Sequence, residues 1–246
     1  KYTPVKLLDN PLSSANDTLL VSKVFQRAIT VLENKNQILP LKINNKYGYL
    51  SLGKGSGLHF NNKLKAYAHV DDVVGYDYKN IINQAKINKW DAIIIGWHPN
   101  KVDNNPFLNT KFSSKEIQLI RKVSSKIPVI VNVFANPYSV YEIEKLNNIK
   151  SIIISYQNNE IAQKVTVDSM FGVNEIDGKT PVRAGKKYPL GSGIKILSKQ
   201  FLGYSEPSLE GFDASKLNAI DQLAKTAIDS FMTPGIQMLI ARHGKI

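Results

Sequence analysis

Two unbroken apolar runs constrain this chain more than any other feature. Ala92-Ile93-Ile94-Ile95 and Ser151-Ile152-Ile153-Ile154 carry bulky side chains in succession with no charged residue between them. A strand with one wet face alternates apolar and polar positions, so a continuously apolar strand must be covered on both faces. Both runs have strand length, and no apolar stretch approaches the roughly 20 residues of a membrane-spanning helix.

Helical patterns separate these strands. Strand-like stretches at 47–52, 66–70, 92–97, 129–134 and 152–156 alternate with helical periodicity at 78–88, 114–125, 140–146 and 160–171. Parallel neighbours need a crossover, usually a helix, so this alternation predicts an α/β three-layer sandwich with a mostly parallel sheet of about five to six strands. Upstream, Leu20, Val24, Ala28, Ile29 and Leu32 recur on one face and predict a helix over 17–33, capped by Asn16 or Asp17.

The domain limits follow from breaks in this rhythm. Residues 1–15, with Pro4 and Pro11, read as a linker, and the sandwich is expected over 16–185. Phe171-Gly172 stops the last helix on a glycine, and Gly178-Lys179-Thr180-Pro181-Val182 ends the domain. Residues 186–211, punctuated by Gly191, Gly193, Gly203, Pro207 and Gly211, read as a linker or a surface strap. Order returns over 212–246 as a C-terminal helix-strand piece of a second module. Asp213 or Ser215 would cap a helix carrying Leu217, Ile220, Leu223 and Ile228, 236–241 alternates as a strand, and Arg242-His243-Gly244-Lys245 reads as a hairpin turn.

The net charge of +12 raises the question of an acidic partner. Only Arg27, Arg121, Arg183 and Arg242 are arginines, and the lysines are scattered singly among asparagines. Dedicated phosphate readers favour arginine forks and clustered stripes, so the charge reads as a solvated surface and no nucleic-acid partner is expected. With no cysteine, disulfides, cysteine-ligated zinc and thiol nucleophiles are excluded.

Four segments, in order, carry a resemblance. They are Ala28-Ile29-Thr30-Val31-Leu32-Glu33-Asn34 leading to Ile38-Leu39-Pro40-Leu41; Asp91-Ala92-Ile93-Ile94-Ile95-Gly96; 129–134 leading to Asn136-Pro137-Tyr138; and the Phe171-Gly172 to Val182 ending. Together they resemble the C-terminal α/β sandwich domain of family 3 glycoside hydrolases of the β-N-acetylglucosaminidase (β-hexosaminidase) type. The tail, from Gly211-Phe212-Asp213 through Pro234-Gly235 to His243-Gly244-Lys245, is similar to the opening helix and strand of class C β-lactamase-like serine hydrolases. The two resemblances imply the middle portion of a bacterial fusion protein, with a barrel domain upstream, a serine hydrolase module downstream, and a periplasmic or cell-envelope location.

The resemblance also implies where the chemistry lies. In such glycosidases the aspartate nucleophile and a histidine-bearing loop stand on the barrel, and no histidine here sits in a matching loop. Catalytic residues are therefore expected outside this chain, and no cofactor or metal is implied. The strings Ser51-Leu52-Gly53-Lys54 and Ser192-Gly193-Ile194-Lys195 match Ser-x-x-Lys, but they precede the tail they would have to follow, so neither takes a catalytic role.

Three local features remain. Gly53-Lys54-Gly55-Ser56-Gly57 follows a strand but lacks P-loop spacing, and reads as a turn. Asp71, Asp72 and Asp77 lack calcium-loop spacing. Trp97 and His98 end a strand at the edge where α/β sheets place ligands, and are the candidate substrate-binding residues for a carbohydrate. The expected function is thus an accessory domain of a β-N-acetylglucosaminidase acting on cell-wall or chitin-type sugars, inactive alone. The competing expectation is a free-standing basic α/β domain gripping an anionic polymer.

Overall fold

The computed structural model describes residues 15–100, 111–199, 202–203 and 205–246, with side chains from residue 17 onward. Residues 1–14 of the expected N-terminal linker lie outside them. The chain divides into two compact units, Ser22–Gln200 and, separately, Lys1–Val21 with Phe201–Ile246. No helix among the described residues is long and apolar enough to cross a membrane.

The larger unit is an α/β sandwich around one six-stranded sheet. Its strands are β1 (Thr30–Asn34), β2 (Lys46–Leu52), β3 (His69–Asp72), β4 (Ala92–Trp97), β5 (Val129–Val133) and β6 (Ser151–Ile154), in spatial order β1-β6-β5-β4-β2-β3. All neighbours pair parallel except β1, which runs antiparallel to β6. The helices of this unit that follow β1 are α2 (Leu58–Tyr67), α3 (Tyr78–Asn88), α4 (Ser114–Ser124) and α5 (Glu160–Met170). Helix α2 packs with α5, and α3 with α4.

Side-chain alternation divides the strands between these two helical layers. Leu50, Leu52, Ile93, Ile95, Trp97, Val129, Val131, Val133, Ile152 and Ile154 point into one core with Ile120 and Val123 of α4. The intervening positions of β4 to β6, Ile94, Ile130 and Ile153, are buried too, so both faces are dry, as the unbroken apolar runs demand.

Several boundaries differ from the sequence expectation. The helix expected over 17–33 stops as α1 (Ala15–Ala28), and Thr30 to Asn34 becomes an edge strand paired with β6, Thr30 opposite Ile154. Tertiary pairing of β-branched Thr30 and Val31 overrides a helical spacing that Ile29 and Leu32 continue only by coincidence. The strand expected over 66–70 lies at His69–Asp72, preceded by α2, which the pattern had not shown. The helix expected over 140–146 is a short 3₁₀ turn at Pro137–Glu142, opened by Asn136, whose side chain accepts the N–H of Tyr138.

Past Val182 the chain straps back onto the sandwich. Ile176 bridges Ile196, Ala184 bridges Tyr188, and the Ile194 N–H donates to Val31 O at 2.7 Å, covering the outer edge of β1. Ile176, Thr180, Ala184, Tyr188 and Ile196 are buried, so residues up to 199 belong to the body of the domain rather than to a free linker. Gly172, at φ +83°, stops α5 with a backbone a side chain would strain, and its Phe171 neighbour stacks on Tyr67 at 4.8 Å.

In the smaller unit, α6 (Ala214–Asp229) is capped by Asp213, whose carboxylate accepts the Ser215 N–H at 3.0 Å. The turn at 242–245 closes by reciprocal backbone bonds between Arg242 and Lys245. Residues 236–241, expected as a strand, form no ladder with any of the described residues.

Candidate functional site

Sheet order locates the site. From β2 the chain moves to β3 on one side, then returns to place β4 on the other side of β2. The crossover through α2 lies in one layer and those through α3 and α4 in the other, so the loops leaving β2 and β4 part company and open a crevice at their carboxyl ends.

Trp97 and His98 stand here but point to opposite faces. Trp97 turns toward α4, stacks on Phe112 with ring centroids 4.3 Å apart, and is 2% exposed. Its indole N–H is buried and has no hydrogen-bond partner among the described residues. His98 turns the other way and is fully buried between Phe60 and Phe134, stacked on Phe134 at 4.6 Å. Trp97 lines the crevice, while the His98 imidazole lies beneath it.

The partners of His98 settle its tautomer. Asn158 Oδ1 accepts from Gln163 Nε2 at 2.6 Å, so it acts as acceptor for His98 Nδ1 at 2.9 Å, and Nδ1 carries the proton. Nε2 then accepts from the Tyr49 hydroxyl at 2.9 Å. Burial drives the imidazole down to about 4, against the pull of Asn158, and drives the Tyr49 phenol up to about 12. Both groups are neutral near pH 7, as this donor-acceptor order requires.

The backbone of His98 holds the loop that leaves β2. Its N–H donates to Leu52 O at 2.8 Å, and its carbonyl accepts the Gly55 N–H at 2.7 Å. Gln163 reaches the same loop twice, donating to Ser56 O at 2.9 Å and accepting the Phe60 N–H at 2.9 Å. At Gly53, where φ is +86°, a Cβ would lie 2.3 Å from His98 O. The glycine-rich segment is therefore a packed turn.

Glu116 spans the crevice. One carboxylate oxygen accepts the Gly53 N–H at 2.9 Å, while the other accepts the N–H of Ser113 at 2.7 Å and its hydroxyl at 2.8 Å. A carboxylate already takes the loop amide that a phosphate would need, which argues against a nucleotide cradle. The crevice has a volume of about 640 Å³, in the range typical of small-molecule sites. Leu52, Trp97 and Leu119 form its apolar part, and Lys54, Lys111 and Lys115 line it with Tyr76 and Asn100.

The other sequence candidates are engaged elsewhere. Asp71 accepts the Trp90 indole N–H at 2.7 Å, Asp72 pairs with Lys65 at 2.7 Å, and Asp77 caps α3. Ser192 donates to Pro189 O at 2.7 Å while Lys195 pairs with Glu175 at 3.0 Å. No group of three or more metal-ligating side chains stands together among the described residues. Tyr49, Glu116, Asn158 and Gln163 carry no motif; only their meeting in space reveals them.

No family model matches the sequence, and no curated protein does. Solved structures do. A family 3 β-N-acetylglucosaminidase from Paenibacillus sp. str. FPU-7 is similar over 79% of this chain and 36% of its own, at 17% identity and a TM-score of 0.53. A β-glucosidase from Listeria innocua in complex with isofagomine is similar over 70% and 28%, at 17% identity and a TM-score of 0.54. A β-glucoside phosphorylase bound to 2FGlc is similar over 69% and 32%, at 17% identity and a TM-score of 0.54. This chain spans about a third of the length of these structures, and the likeness is one of fold: its α/β sandwich is similar to one part of family 3 glycoside hydrolase structures.

Proposed function

We propose that this chain is the accessory α/β domain of a β-N-acetylglucosaminidase-type glycoside hydrolase acting on cell-wall or chitin-type sugars, with the catalytic groups on a barrel domain elsewhere in the parent protein. The observation that carries the reading is the crevice at the carboxyl ends of β2 and β4, on a fold similar to about a third of the length of the β-N-acetylglucosaminidase structure named above. The four sequence segments that resemble family 3 support it. In this reading Trp97 offers the crevice an apolar wall for a sugar, and His98 fixes the loop beside it from below. The 212–246 unit would begin a serine hydrolase module, and the parent protein would work in the periplasm or at the cell envelope.

The test is to express the full reading frame containing this chain beside residues 1–246 alone. Hydrolysis of p-nitrophenyl N-acetyl-β-glucosaminide by the full protein, and none by the shorter chain, is the expected result. Hydrolysis by residues 1–246 alone, or a full protein that prefers the plain β-glucoside, would overturn it. Replacing Trp97 with Leu in the full protein should raise KM several-fold with kcat little changed, and an unchanged KM in a folded variant removes the sugar contact.

A further inference from the structure

The charges around the crevice are out of balance. Lys54, Lys111 and Lys115 all line it, all three are exposed, and none pairs with an acidic side chain among the described residues. Other lysines of the sandwich divide between paired ones, such as Lys65 and Lys164, and solvated ones, such as Lys42 and Lys122; what sets Lys54, Lys111 and Lys115 apart is that they line one concavity. Among the described residues the one acidic group lining the crevice is Glu116, and its two oxygens are held by Gly53 and Ser113. The three hydrogen bonds that Glu116 accepts spread its charge, and the lysines have no counter-ion among the described residues.

Three ammonium groups repel a cation and offer a neutral ligand ordinary hydrogen bonds only, whereas an anion gains charge-assisted ones in a partly enclosed space where screening by water is reduced. The rest of the lining is not that of a bare ion site. Tyr76 is 66% exposed and offers a ring face, Leu52, Trp97 and Leu119 supply apolar wall, and Asn100 adds an exposed amide. The volume of about 640 Å³ far exceeds what an inorganic anion fills. A ring with apolar C–H faces, hydroxyls and one acidic group matches all of these features.

We propose that the switch-point crevice binds an anionic saccharide, a sugar ring bearing a carboxylate or a phosphate, with Lys54 and Lys115 taking the charge and Tyr76 the ring. The inference deepens the function proposed above, and rests on it for the supposition that the domain meets sugars. Its recognition step belongs to this chain alone and needs no hydrolysis.

Calorimetric titration of residues 1–246 at low ionic strength with glucuronic acid, glucose 6-phosphate, glucose and inorganic phosphate tests it. One or both acidic sugars should bind at least about tenfold more tightly than either glucose or inorganic phosphate. Whether glucuronic acid or glucose 6-phosphate leads tells a carboxylate from a phosphate. The double variant Lys54→Ala/Lys115→Ala, folded by circular dichroism, should lose about tenfold or more of that affinity. Equal binding of glucose, equal binding of inorganic phosphate, no binding of any of the four, or full affinity in the double variant would each overturn the proposal. Because no bond is cleaved in this assay, its failure is distinct from a failure of the full protein to hydrolyse N-acetylglucosaminides.

Discussion

The Tyr49 hydroxyl and His98 Nε2, 2.9 Å apart, fill the space that a side chain would need at two glycines on different elements. A Cβ at Gly57, before α2, or at Gly96, inside β4, would come within 2.4 Å of His98 Nε2. The imidazole thus ties β2, β4 and the loop before α2 to Asn158 beyond β6.

This tie should weaken in acid. Burial lowers His98 from 6.5 to about 4 in the folded chain, so the unfolded chain takes up the proton first as pH falls. The stabilising contribution is complete above about 6.5 and is lost progressively as pH drops through the folded value near 4. Two to three pKa units correspond to about 3 kcal/mol. Urea midpoints at pH 7.5 and pH 4.5 should therefore fall much more in the native chain than in His98→Gln, which keeps polar atoms but has no proton to gain. Equal pH dependence in the two would show that His98 is not buried neutral.

Gly57→Ala tests the packing directly. The new methyl would meet Tyr49 Oη at 2.1 Å and His98 Nε2 at 2.4 Å, and neither ring can retreat past Phe60 and Phe134. Overpacking of this kind costs about 1–3 kcal/mol. Gly235→Ala, with nothing within 4 Å of the added carbon, is the matched control and should change stability by less than about 0.5 kcal/mol. Thermal melts that fail to separate the two variants would mean that the Tyr49–His98 packing is looser than the distances imply.

The same contacts explain which parts of the chain were readable in advance. Ile93, Ile94 and Ile95 announced a doubly covered strand because burial on both faces leaves its mark in local composition. A cap was legible from local sequence as well: Asp213, standing before an apolar periodicity, opens α6. Helix α2 lacks a start signal because Gly57 offers no side-chain cap, although Phe60, Leu64 and Tyr67 keep a helical spacing. β1 was hidden by a partner, β6, that lies more than a hundred residues away. The crevice was legible only at Trp97, since Glu116, Lys54 and Tyr76 acquire their meaning from the reversal of strand order, which no local pattern encodes.

A last consequence concerns the layer beneath the loop, where α2 and α5 share a buried charge pair. Lys63 Nζ lies 3.3 Å from Asp168 Oδ1, with side chains 11% and 8% exposed, and the Tyr67 hydroxyl donates to the same oxygen at 2.6 Å. The attraction inside the protein is offset by the cost of removing both charges from water, so the pair contributes little net stability, but either member left alone is costly. Asp168→Ala should therefore destabilise the domain by about 3–5 kcal/mol, leaving Lys63 buried without its carboxylate. The triple replacement Lys63→Met, Tyr67→Phe, Asp168→Leu removes these three polar groups together at similar volume and should recover at least half of that loss. Denaturant midpoints of the two variants decide the matter. A triple variant no more stable than Asp168→Ala would mean that the ion pair itself, rather than the penalty of breaking it, holds α2 against α5 and so the crevice loop in its place.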